Sequence, residues 1–232
     1  MIETTNKLTE LVKVIIAEEE AILDQLDVEL RLCKATANAE GLKQFAEVFY
    51  FIRYDFPRLN FVVGERCGTN EFLWAGLAKN LIEELGGKNG PSHNQLYRDF
   101  LSSVGTKSEE LLKEPLFAQQ FNANWENFCR TASLEEALCA IAVYEIFDQP
   151  DYQLFLRVMQ EAGVPEYGLR FFRVHAAAEH FEMFEDVVAW LQEQEGGKEA
   201  FAKGKDFVVQ TQRKMWNGLM ECLEKQCLTC PV

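Results

Sequence analysis

The sequence predicts an all-α fold: one helical bundle of seven or more helices, in a single domain over residues 1–232. Three observations predict it. Apolar residues recur with a helical period through nearly every stretch, and almost no stretch alternates as a strand does. Breakers are sparse, with 14 glycines and 6 prolines in 232 residues. Apolar residues make up 48% of the chain, enough at this length to build a core without staples.

The elements follow in order. Residues 7–34 form a long first helix on Leu8, Leu11, Val12, Ile15, Ile22, Leu26 and Leu30. Glu40 to Arg66 forms a second, kinked at Pro57 because proline lacks an amide donor. Residues 70–85 form a third, ended by Gly86-Gly87. Ser92, with Gln95 three residues on, is a capping-box pattern that starts a fourth helix running through Ser103. Further helices fit 107–129, 133–148, 151–161, 166–194 and 199–227, with Pro165 and Gly196-Gly197 as breaks.

Composition excludes several functions. Acids outnumber bases 37 to 23, for a formal charge of −14, and no basic patch interrupts them. Such a field repels phosphate, so neither nucleic acid nor an anionic membrane is an expected partner. No run reaches the roughly 20 apolar residues of a membrane helix, and the N-terminus lacks a signal-peptide pattern. Of the seven cysteines, Cys33, Cys129 and Cys139 sit inside apolar helical patterns, which reads as reduced thiols and a cytoplasmic protein. Cys227-x-x-Cys230 has no second ligand pair and no histidine nearby in sequence, so it reads as a reduced tail.

Several acids and histidines fall on faces that should be apolar. Glu145 interrupts the run Ala137–Phe147 and lies within about 60° of Leu134, Leu138 and Ile141 on a helical wheel. It is either a helix-end carboxylate reaching water or a buried one that must be protonated, paired or metal-bound. Glu84 lies within about 60° of Leu73, Leu77 and Leu81, and fraying at the helix end is its plainer reading. His93 shares a face with Tyr97 and Phe100, as a core histidine would or a ligand would. His175, Glu179 and Glu182 form an i, i+4, i+7 stripe, solvated in its plain reading, with Phe171, Phe172, Met183 and Trp190 beside it. Together Glu84, Glu145, Glu179, Glu182, His93 and His175 are four carboxylates and two imidazoles, the donor set of di-iron or di-manganese sites in helical bundles. The usual Glu-x-x-His pairs are absent, since Gly90 and Phe172 precede His93 and His175 by three. For the last donor, Glu182 falls about 20° from His175 on a regular helix and His180 about 140° away. The arithmetic therefore selects Glu182, unless a π-bulge turns His180 inward.

The order of these residues resembles the haem-oxygenase-like fold. In particular it resembles the CADD group (Chlamydia protein associating with death domains), near the TenA and pyrroloquinoline-quinone synthase C families. The resemblance runs from about residue 20 to 220. It is carried by LKQFAEVFYFIRYDFPRLNFVVGERC at 42–67, IEELGG at 82–87 followed by His93, the pair Tyr144-Glu145, and His175-x3-Glu179. It implies a non-haem oxidase or oxygenase that activates O2 on two iron ions, or iron plus manganese, and acts on a small molecule. Glu84, His93, Glu145, His175 and Glu179 carry over as ligands. Two positions depart: Glu182 stands where the family has a histidine, and Glu29 where CADD-type members carry a tyrosine they can consume. The second departure leaves the substrate open. Phe49, Tyr50, Phe56, Tyr97 and Tyr144 are candidates to line a substrate pocket, with core packing as their plainer role. A metal-free TenA-like hydrolase or a ligand- or protein-binding module on the same fold is the alternative, and a homodimer is an open option.

Overall fold

The computed structural model describes residues 2–87, 90–106, 111, 113–177 and 181–225. They are helical, with no strand among them: α1 Ile2–Gln25, α2 Val28–Ala35, α3 Ala39–Arg53, α4 Arg58–Arg66, α5 Glu71–Glu84, α6 His93–Ser103, α7 Leu116–Thr131, α8 Leu134–Glu161, α9 Glu166–Ala177, α10 Phe181–Gln192 and α11 Gly197–Glu224. No described helix is long and apolar enough to cross a membrane.

Local chemistry starts these helices. Asn38, Asn70, Ser92 and Ser133 each accept a hydrogen bond from the backbone N–H three residues on, at 2.9–3.2 Å. At Ser133 the Glu136 carboxylate returns the bond to the Ser133 N–H, 3.2 Å away, which completes a capping box. Such caps are worth about 1 kcal/mol each. At the other end of α5, Gly86 takes φ 90°, and Gly90 and Pro91 carbonyls would lie 2.5–2.6 Å from any Cβ there.

Four boundaries differ from the sequence reading. The expected first helix divides at Leu26-Asp27, where Asp27 adopts φ 49°, a left-handed conformation that aspartate tolerates. The turn lets Val28 and Leu32 enter the core, fully buried. At Pro57 the chain breaks rather than kinks, because residues 54–57 leave the helix between α3 and α4. The helix expected from 107 starts at Leu116, after Pro115; residues 107–110 and 112 lie outside the described residues. Conversely, α8 runs straight through Pro150. A helix-interior proline costs about 3 kcal/mol. Burying Phe147, Tyr152 and Phe155 on either side offsets it, at about 1.5–3 kcal/mol each. The helix expected over 166–194 is described as α9 and α10, with 178–180 outside the described residues.

The long α8 is the axis of the bundle, packed against α11, α9, α10 and α1. Its residues from Ala137 to Val143 are buried on every side, so it has no solvent stripe there. The described cysteines are free thiols: Cys67, Cys129, Cys139 and Cys222 are buried and Cys33 is half-buried. Cys227 and Cys230 lie outside the described residues.

Candidate metal centre

Three of the predicted ligands meet. Glu84 comes from the last turn of α5, His93 from the first position of α6, and His175 from the last turn of α9. Their ligand atoms all lie within 4.8 Å of one another. Glu84 Oε1 accepts a hydrogen bond from His93 Nδ1 at 3.0 Å, and the two imidazole rings meet edge to face at 4.4 Å. His93 and His175 are buried, and Glu84 nearly so. Packing of α6 against α9 brings the two histidines together.

The tautomer of His175 follows from its partners. A backbone carbonyl only accepts, so His175 Nδ1–H donates to Phe171 O at 2.8 Å. That leaves the Nε2 lone pair facing the centre, the orientation common to metal-binding histidines. Burial first, then the neighbouring Arg53 and His93, hold His175 well below the usual histidine range, so it is neutral. Burial would push Glu84 up, but the Arg53 guanidinium and the His93 hydrogen bond outweigh it and hold the carboxyl well below the carboxylate range. The centre therefore offers an ionised carboxylate and two imidazoles, a set that suits one non-haem iron ion with open positions.

Sequence reasoning missed the charge at the middle of this cluster. Arg53, at the end of α3, is 5% exposed. Its Nη2 donates to His175 Nε2 at 3.1 Å and to Glu84 Oε1 at 3.4 Å, while Nη1 lies 3.8 Å from Asp148 Oδ2. The signal was present, since Arg53 lies four residues after Phe49 and eight after Phe45 on the apolar stripe of α3. Phe56 and Tyr152 flank the guanidinium, with ring centroids 5.9 and 5.8 Å away. Tyr152 also stacks on His175 at 4.3 Å. Asp148 is buried, and burial drives its carboxyl well above the usual range although Arg53 opposes the shift.

The other predicted residues fall as follows. Glu145 is half-buried on α8, close enough for its charge to act on Asp148 and Tyr144. Glu179 and His180 lie outside the described residues. Glu182 is not brought to the cluster: its side chain is 74% exposed and pairs with Lys79 of α5. The 20° arithmetic needs positions 175 and 182 on one helix face, and here one is buried and the other faces solvent. The five aromatic candidates pack on neighbouring rings. Phe49 lies 4.7 Å from Phe155, Tyr97 4.8 Å from Phe171, Tyr50 5.2 Å from Tyr54, and Phe56 stacks on Tyr144 at 4.2 Å. The Tyr97 hydroxyl donates to Ala46 O at 2.8 Å. Phe56 alone of the five also packs over Arg53.

A second buried polar group lies along α8. Glu19 of α1 accepts from Trp216 Nε1 at 2.9 Å and from Gln212 Nε2 at 3.4 Å, and Gln212 Nε2 also donates to Asp151 at 2.7 Å. In sequence Glu19 is the centre of Glu18-Glu19-Glu20 and looks solvated, yet it shares the face of Ile15 and Ile22.

Known proteins share this fold. A CADD-like protein of unknown function from Nostoc punctiforme PCC 73102 superposes with a TM-score of 0.78 over 95% of this chain and 98% of its own, at 17% identity. A TenA homolog from Pseudomonas syringae pv. tomato str. DC3000 superposes with a TM-score of 0.68 over 94% and 93%, at 11% identity. At such identities the likeness concerns the fold. A 4-aminobenzoate synthase from Chlamydia pneumoniae is 27% identical over 185 residues, 78% of this chain and 80% of that protein. The family model for iron-containing redox enzymes of the haem-oxygenase-like fold matches residues 43–211, which include Arg53, Glu84, His93 and His175, and the chain belongs to that family.

Proposed function

We propose that this chain is a non-haem iron oxidase or oxygenase that activates O2 toward a small-molecule substrate. The observation that carries the reading is the convergence of Glu84, His93 and His175 within 4.8 Å in the bundle interior. Iron bound there would pass electrons from a C–H or C–C bond of the substrate to O2. The chain's own residues do the rest. Glu84 supplies fixed negative charge, Phe171 O orients His175, and Glu84 orients His93. The Tyr152 ring covers one face of His175 and keeps water from it. Glu145 and Glu179 are the further donors that the sequence offers, and manganese is the alternative metal for so oxygen-rich a set.

The kinship with a 4-aminobenzoate synthase supports a small aromatic acid as the kind of compound involved. The chain's own side chain at position 29 is not the substrate in this reading, because Glu29 is exposed and bound to Arg157 at 3.2 Å. The metal-free hydrolase draws no support from Cys139. Burial pushes that thiol up to about 12, and it donates to Phe201 O rather than facing an acid.

The test is anaerobic reconstitution with Fe(II), desalting, metal analysis and an oxygen electrode. The expected result is retained iron that consumes O2 in the native chain and is lost in His175→Ala. Iron washing off the native chain, with O2 uptake equal to buffer, refutes the reading. Supplying Mn(II) in competition reads out which metal is kept.

A further inference from the structure

Arg53 carries more hydrogen-bond donors than its surroundings satisfy. A guanidinium has several N–H groups and no acceptor. Nη2 meets His175 Nε2 at 3.1 Å and Glu84 Oε1 at 3.4 Å. Nη1 lies 3.8 Å from Asp148 Oδ2, beyond a hydrogen bond. That carboxyl is a poor counter-ion as well, because burial drives it well above the usual range. Nε is buried with no partner among the described residues. Leaving an N–H of a buried charge unmet costs more than leaving a neutral one unmet. Metal loading deepens the deficit, since an ion on the His175 Nε2 lone pair takes away the nearer contact of Nη2.

The surroundings describe the acceptor that would meet it. Nε–H and the neighbouring Nη–H point the same way in a planar fork, which matches the two oxygens of one carboxylate. The Tyr152 hydroxyl is a second buried group with no partner among the described residues. Its ring packs over the same guanidinium, 5.8 Å from Cζ. Phe56 packs there too, at 5.9 Å, and stacks on Tyr144 at 4.2 Å. These rings favour a flat apolar body behind the carboxylate over a bare anion. Arg53, Glu84, His93 and Asp148 stand on four helices, and each keeps 5–12% of its side chain accessible to water. A water-sized path therefore reaches the cluster between α3, α5, α6 and α8.

We propose that Arg53 is the specificity-determining anchor of this site: its fork binds the carboxylate of a small aromatic acid, Tyr152 donates its hydroxyl to the same group, and Phe56 packs on the ring. This names the substrate contact of the iron-centre reading above and rests on it.

The test is binding. Benzoate is titrated calorimetrically into the anaerobic Fe(II)-loaded chain and into the apo chain, with benzamide as the uncharged analogue and acetate as the ringless one. Both forms are expected to bind benzoate, the loaded one more tightly, and benzamide and acetate about tenfold more weakly or worse. Arg53→Met is expected to keep its iron and to lose at least about thirtyfold in benzoate affinity. Arg53→Lys keeps the charge without the fork and is expected to lose about tenfold. Tyr152→Phe keeps the ring on His175 and is expected to lose about threefold to tenfold. Circular dichroism melts establish that each variant is folded. Native benzoate affinity in iron-loaded Arg53→Met overturns the proposal, because the metal alone then holds the carboxylate. Equal affinity for benzamide overturns it as well. A native chain that keeps iron and binds no benzoate overturns it while leaving the iron reading intact. If the native chain keeps no iron, that reading falls, and benzoate binding to the apo chain decides the anchor. If Arg53→Met does not fold, native affinity in both Arg53→Lys and Tyr152→Phe overturns the proposal.

Discussion

Replacing Glu19 with glutamine should stabilise the protein, and the gain should depend on pH. Glu19 is fully buried between α1, α8 and α11. Burial pushes its carboxyl up to about 7, although hydrogen bonds from Trp216 and Gln212 pull the other way. In the unfolded chain the group titrates near 4.5. Between those values the folded state holds a proton that the unfolded state has released, so stability falls as pH rises through this window. Below about 4.5 both states are protonated and nothing is lost. Above about 7 the full cost applies, about 3 kcal/mol at ~1.4 kcal/mol per pH unit. The substituted amide would keep an oxygen for Trp216 Nε1 and bring an N–H toward Asp151 Oδ1, which has no partner among the described residues. Glu19→Gln is therefore expected to melt roughly 6–12 °C higher than the native chain at pH 8 and nearly with it at pH 4. Melts of both proteins from pH 4 to 8.5 measure the difference, in which the other titrating groups largely cancel. A difference that stays constant with pH would falsify the buried-acid account.

Gly204→Ala places a Cβ 2.7 Å from Glu136 O and 2.8 Å from Cys139 Cβ, where α11 crosses α8. It should lower stability by about 1–3 kcal/mol in urea unfolding, and a neutral result would mean that the two helices can separate freely. Glu182→Ala removes a side chain that is 74% exposed and pairs across the surface with Lys79. Iron content should not change, and stability should move by no more than about 0.5 kcal/mol. Loss of iron would return Glu182 to the ligand set.

The helical class was readable from the chain because periodicity, caps and glycine stops are local. Ser92 caps α6 where Ser92 and Gln95 predict, and Gly86 ends α5 where the double glycine predicts. Glu84, His93 and His175 were readable too, since the first two break an apolar pattern and the third belongs to a motif. The chain alone could not place Asp148, Asp151 or Tyr152, because α8 is buried nearly all round and a wheel with no solvent face distinguishes no position. Nor could it tell that Glu19 faces inward among acids, or that Arg53 would stand between two ligands. Those outcomes depend on which helix covers which face, and on charges that become strong only once α3, α5, α8 and α9 together exclude water. Sequence determined that this chain would be a helical bundle, and it singled out three donors that meet inside it. Tertiary packing decided that Glu182 faces solvent and that an arginine sits at the centre, because burial is set by distant neighbours and not by the residue's own helix.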